Sequence, residues 1–238
     1  MRRKTAIYRS WRHVIITVCV TLIPFIFLLV FAEIARITLR QLFFDIFISG
    51  LRLAVAYIIA ISIAWLTAVL FYKGKLSAFV LPLADVLQSF PTFAALPLAT
   101  LVWGATNTTV ILFLAITIIW PVFFTIISSL KLIKKEWDEA AEVTGLGGLN
   151  YVNHFLLPIT MPGVITGTII GLGDGWEALV ATEIIIGIKS GLGSFFQSYT
   201  TNTTITTFGI IGLLVIIFTI NKLIWLPLLE MSHAKIDE

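Results

Sequence analysis

Six stretches of this chain are each apolar over a length that an α-helix can use to cross a lipid bilayer, and no other feature of the sequence constrains its fold as strongly. A hydrocarbon core of about 30 Å needs about 20 apolar residues at the helical rise. By that measure the spans run from Val14 to Ala32, Ile46 to Tyr72, Phe79 to Trp103, Thr108 to Leu130, Phe155 to Ile188 and Thr207 to Leu229. The expected fold is therefore all-α and integral to the membrane, with about six transmembrane helices. Composition agrees, since hydrophobic residues fill 58% of the 238 positions and charged residues only 12%, against about 25% charged in a soluble domain.

Two spans are irregular. Pro82, Pro91 and Pro97 fall in the third, and Pro158, Pro162 and the glycines at 163, 167, 171, 173 and 175 fall in the fifth. Kinks or short broken helices are expected in both. Gly163, Gly167 and Gly171 also recur every fourth position, which places small residues on one helix face and suits close helix contact in lipid.

Several function classes are disfavoured. No basic face suited to nucleic acid is evident, and the single Cys19 excludes a disulfide framework. His13, His154 and His233 lack ligand-like spacing, so no metal site is expected. There is no Gly-x-x-x-x-Gly-Lys-Ser/Thr phosphate loop and no catalytic constellation, so the chain is expected to be no enzyme and to bind no cofactor itself. The opening Met1-Arg2-Arg3-Lys4 is basic, but the apolar run after it is span-length and has no evident cleavage site, so it reads as a retained first helix.

Lys and Arg collect on the cytoplasmic side of membrane proteins. With six spans, the N-terminal basic cluster, Lys73 with Lys75, and Lys131, Lys134 and Lys135 all fall on one side, which makes both termini cytoplasmic. Arg36, Arg40 and Arg52 fall on or near the outer face by the same count, where they would line an elbow helix or a docking surface.

Between the fourth and fifth spans lies one polar island, Glu136 to Pro158. Glu136, Asp138 and Glu139 open it, where acidic groups favour the free amides of a helix start. Ala140 and Ala141 are strong helix formers whose small side chains let another protein approach the backbone. Gly145 permits the left-handed turn that ends many helices, and Pro158 suits a helix start that needs no amide donor. The island should form a short cytoplasmic helix, a turn and a re-entry into the membrane. Alone, a Glu-Ala-Ala triplet would mark only a soluble loop.

The full order is more specific: Glu139-Ala140-Ala141, three residues, Gly145, residues 146–154, Phe155, one residue, and Leu157-Pro158. It resembles the cytoplasmic signature of the membrane subunits of ATP-binding-cassette (ABC) importers, with Phe155 where Ile is common. Pro82 to Leu98 with Trp103-Gly104, and Gly173 to Ile184 with Gly191-Leu192-Gly193, are similar to the branch for nitrate, sulfonates, taurine and related small solutes.

The resemblance implies a permease subunit that forms a solute pathway by alternating access. It implies that Glu139, Ala140, Ala141, Gly145, Leu157 and Pro158 belong to a coupling helix seated in a cytoplasmic ATPase. Two ATPase subunits, holding ATP and Mg, an extracytoplasmic solute-binding protein, and a second copy or a homologous permease would be the partners, in the cell membrane with its lipid. The implied division is 1–45 for an N-terminal segment and first helix, 46–230 for the permease core and 231–238 for a short cytoplasmic tail.

Asp174, Glu177 and Glu183 lie within or at the end of the fifth span, where a charge is costly unless it faces a cavity or a partner. They are the candidates for the solute pathway. If the Gly-rich segment ends early, Asp174 and Glu177 would instead be solvated at the outer mouth, and Glu183 could serve packing or gating. Three carboxylates disfavour an anionic solute and suit a neutral or cationic one, such as a vitamin precursor. The competing reading is an ion-coupled secondary transporter in which the same three carry protons or sodium.

Overall fold

The computed structural model describes residues 18, 19, 22–34, 36 and 38–234. The N-terminal basic cluster, His13, the first residues of the first expected span and the end of the tail, residues 235–238, lie outside the described residues. Among the described residues every regular element is a helix. An apolar helix α1 spans Leu22–Ile34. It is followed by α2 (Leu39–Phe71), α3 (Ser77–Gln88), α4 (Thr92–Trp103), α5 (Asn107–Lys131), α6 (Lys135–Val143), α7 (Gly148–Tyr151), α8 (Leu157–Ile186), α9 (Leu192–Ser198), α10 (Thr203–Ile220) and α11 (Leu226–Ala234). π-Helical turns at Val152–Leu156 and Asn221–Trp225 join α7 to α8 and α10 to α11.

Four continuous stretches are long and apolar enough to cross a membrane: Leu39–Phe71, Asn107–Lys131, Gly148–Ile186 and Thr203–Ser232. The α3–α4 pair makes a fifth if counted as one bent span. The second expected span begins earlier than its apolar run, at Leu39 rather than Ile46, because Asp45 is buried and satisfied inside the protein.

The third expected span breaks as its prolines predict, with a bend of 84° between α3 and α4. Pro91 caps the start of α4, while Pro82 and Pro97 are accommodated inside their helices. The fifth does not break. Contrary to the expectation drawn from its glycines, α8 is continuous from Leu157 to Ile186.

Packing explains the difference. A Cβ at Gly163 would stand 2.6 Å from the Thr125 carbonyl oxygen, and one at Gly167 would stand 2.6 Å from Val122 Cα. These glycines therefore let α8 lie backbone against backbone on α5, and that contact supports the helix that isolated glycines would weaken. On its other side α5 packs along α2, whose Ala56, Ala60, Ala64 and Ala68 are fully buried at four-residue spacing. The three helices α2, α5 and α8 form the core.

Candidate functional site

The polar island folds as a helix, a turn and a continuous re-entry. Glu136 and Asp138 occupy the first turn of α6, where they complement the positive end of its dipole. The helix stops at Thr144 by a paired closure: Leu146 N–H donates to the Ala141 carbonyl at 3.0 Å, and Gly145 N–H donates to the Glu142 carbonyl at 3.0 Å. This closure needs a left-handed residue after the cap, and Gly145 supplies it with φ of 72°. Beyond it, α7, the π turn and α8 run on as one stretch, with Leu157 and Pro158 exposed at the start of α8.

Only one face of α6 meets the rest of the chain. Ala141 is buried, whereas Glu139, Ala140 and Gly145 are exposed, as are Val143 (89%) and Leu149 (78%). Asp138 ties α6 to the bundle: it pairs with Lys73 in the α2–α3 loop and accepts from Tyr151 Oη at 2.8 Å. Partial burial works to raise the Asp138 pKa, but the hydrogen bonds from Lys73 and Tyr151 outweigh it and hold the carboxyl below its usual range. Burial likewise works to lower the Lys73 pKa, and Asp138 with Tyr72 outweighs it, so the ammonium titrates above its usual range. The pair places the loop after α2 and the island at the same end of the bundle.

The three carboxylates of the fifth span have different surroundings. Asp174 and Glu177 are exposed on one face of α8, since residues three apart are helix-surface neighbours. Glu183 is fully buried. It forms an ion pair with Arg52, and its Oε2 accepts from Gly193 N–H at 2.8 Å. Ser49 Oγ donates to Glu183, 2.8 Å from Oε1, and itself accepts from Leu192 N–H at 2.8 Å. Asp45 Oδ1 accepts from Gly191 N–H at 2.8 Å. Arg52 further donates through Nε to Asn107 Oδ1 at 2.9 Å, to the Ser190 carbonyl at 2.9 Å and to Ser190 Oγ at 3.0 Å.

The expectation that Arg52 lines an outer docking surface is therefore corrected: it is 4% exposed and spent inside this network. Sequence reasoning missed Asp45, Ser49 and the inward role of Arg52, although the spacing of the three puts them on one face of α2 within an otherwise apolar run. Among the described residues no three His, Cys, Asp or Glu side chains gather as a metal site requires.

Residues 60–226, more than half of the chain, match the family described as binding-protein-dependent transport system inner membrane component. The chain belongs to this family. It is 30% identical over 159 residues to the nitrate import permease protein NrtB of Synechococcus elongatus, covering 66% of this chain and 57% of that one. It is 26% identical to the bicarbonate transport system permease protein CmpB of the same species over 68% of this chain and 59% of the relative. With the taurine transport system permease protein TauC of Escherichia coli the identity is 32%, over 49% and 42% of the two chains. The chain thus spans less than two thirds of the length of these permeases. Family membership and the apolar helices make it a multi-pass protein of the cell membrane. The island and all three carboxylates fall inside the region that matches the family.

Proposed function

We propose that this chain is the permease subunit of an ATP-driven ABC importer, forming a pathway for a small solute by alternating access together with a second copy or a homologous permease. In this reading α1 and the bent α3–α4 pair complete six transmembrane helices, α6 is the coupling helix between the fourth and fifth, and both termini are cytoplasmic. Two separate ATPase subunits hold ATP and Mg, and an extracytoplasmic binding protein delivers the solute. Relatives named for nitrate, bicarbonate and taurine import support a small solute.

The observation that carries the proposal is α6 itself, a short helix with an acidic start between two membrane-length helices, presenting Glu139, Ala140 and Val143 outward. A push on α6 reaches α8 through the Gly145 turn and the unbroken α7–α8 stretch, and reaches α2 through Asp138 and Lys73. Closure of the ATPases would thereby rotate two core helices together and open the pathway outward, with hydrolysis resetting it. Asp174 and Glu177 face that pathway, and Glu183 fastens the far end of the bundle.

The test is co-purification of the tagged chain from its native membrane in mild detergent, comparing wild type with Glu139→Lys and Gly145→Asp. An ABC ATPase retained by wild type and lost by both variants at normal membrane levels is the expected result. Absence of any ATPase from wild type, under conditions that preserve a known ABC complex, overturns the proposal.

A further inference from the structure

We infer that the pathway of this permease takes a solute carrying a protonated nitrogen, with Asp174 as its counter-ion in an aromatic-walled cavity at the α3–α4 bend; the inference rests on the permease reading above. The cavity has a volume of about 490 Å3, and its walls include Gln88, Phe90, Phe93, Thr117, Trp120 and Asp174. Asp174 lies 12 residues before Ile186 at the end of α8, about 18 Å along the helix axis. At that depth a carboxylate facing lipid is costly, so it belongs to a water-filled path or a partner surface.

The charge around the cavity has one sign. No Lys or Arg occurs between Lys75 and Lys131, or between Lys135 and Lys189. Of the two cations of α2, Arg52 is consumed by Glu183 and Ser190, and Arg40 is exposed 12 residues nearer the helix start, about 18 Å along the axis. On the acidic side stand Asp174, Glu177 one turn further along α8, and Asp85, which accepts from the cavity residue Gln88 at 2.6 Å. The positive end of α4 contributes about half an elementary charge, which two full carboxylates on α8 outweigh. A bare inorganic anion finds no counter-charge here. A protonated nitrogen finds Asp174 for its charge, the faces of Phe90, Phe93 and Trp120 for cation–π contact, and Gln88 and Thr117 for polar groups of the solute.

The test uses the full chain in its membrane complex with Cys19→Ser and a reporter thiol in the cavity wall, Ala94→Cys, with Thr117→Cys as a second reporter. Two reagents of similar size are compared: the permanently cationic trimethylammonium-ethyl methanethiosulfonate and the anionic sulfonatoethyl methanethiosulfonate, each normalised to its rate with a free thiol. The cationic reagent should be favoured about tenfold. The preference should collapse with Asp174→Asn and return with Asp174→Glu. Equal normalised rates with Asp174 intact, or no reaction of either reporter in variants present at normal membrane levels, overturn the inference. ATPase retention by the same variants reads the permease assignment separately: a retained ATPase without cation preference sinks only the inference, and a cation preference without any ATPase supports the cavity while sinking the permease reading.

Discussion

Arg52 and Glu183, 131 positions apart in the chain, meet as an ion pair at the end of the bundle opposite α6, with side chains 4% and 0% exposed. A carboxylate so dry is tolerable only because Ser49, Gly193 and Arg52 all donate to it. Removing one partner strands the other charge, at a cost of about 3–5 kcal/mol. Arg52→Leu and Glu183→Leu should each lower thermal stability in detergent strongly, whereas the double variant should lose less than the sum. Additive losses in that double-mutant cycle would show that the two charges are not coupled.

Two glycines of one helix should respond in opposite ways to the same methyl group. Gly167→Ala places a Cβ 2.6 Å from Val122 Cα, so α8 must separate from α5, costing about 1–3 kcal/mol. Gly173 has nothing within 4 Å of a Cβ, and alanine there should be neutral or stabilise by up to about 1 kcal/mol. Equal melting temperatures for the two variants would contradict the close packing of α5 on α8.

The Lys73–Asp138 tether should depend on pH. The folded pKa of Asp138 is lowered, so its contribution is complete above the unfolded value of about 3.9 and disappears as pH falls through the lower folded value. Lys73 is raised, so its contribution is complete below about 10.4 and disappears as pH rises through the higher folded value. Hydrogen exchange of the α6 amides, corrected for intrinsic rates, should accelerate at the acid limit in wild type. Asp138→Asn should remove that acid dependence, and a persisting acid limb would place the titration elsewhere.

At Gly145 the constraint is the backbone alone, since φ is 72° and nothing lies within 4 Å of a Cβ. Gly145→Ala should weaken the closure of α6 by about 1–2 kcal/mol, and Gly145→Asn should cost less. The amide of Leu146, which closes the turn onto Ala141, should lose exchange protection in that order. Equal protection in alanine and asparagine variants would argue against the left-handed closure.

What was legible in the sequence depended on the range of the interaction. The fourth expected span, Thr108 to Leu130, lies within α5, Asn107–Lys131, because Thr106 caps its start and the apolar run itself is uninterrupted. The helix and left-handed turn of the island were legible from Glu136, Asp138 and Gly145, since capping and turn chemistry act over a few residues. The continuity of α8 was not, because glycine weakens an isolated helix while the surface of α5 that supports it comes from another part of the chain. Arg52 and Glu183 each stood out as a charge in apolar surroundings. Their pairing depends on a fold that brings α2 to the end of α8, which no local pattern reports.

The network around Glu183 also limits how this protein can be redesigned. A Cβ at Gly191 would lie 2.6 Å from Ser49 Oγ and 2.7 Å from Glu183 Oε1, and one at Gly193 would lie 2.9 Å from the Glu183 backbone carbon. Asp45, Ser49, Arg52, Glu183, Gly191 and Gly193 therefore act as a single choice: an engineer who swaps one must replace the whole set, and a graft of the α8–α9 corner onto another member of the family succeeds only if the matching face of α2 travels with it.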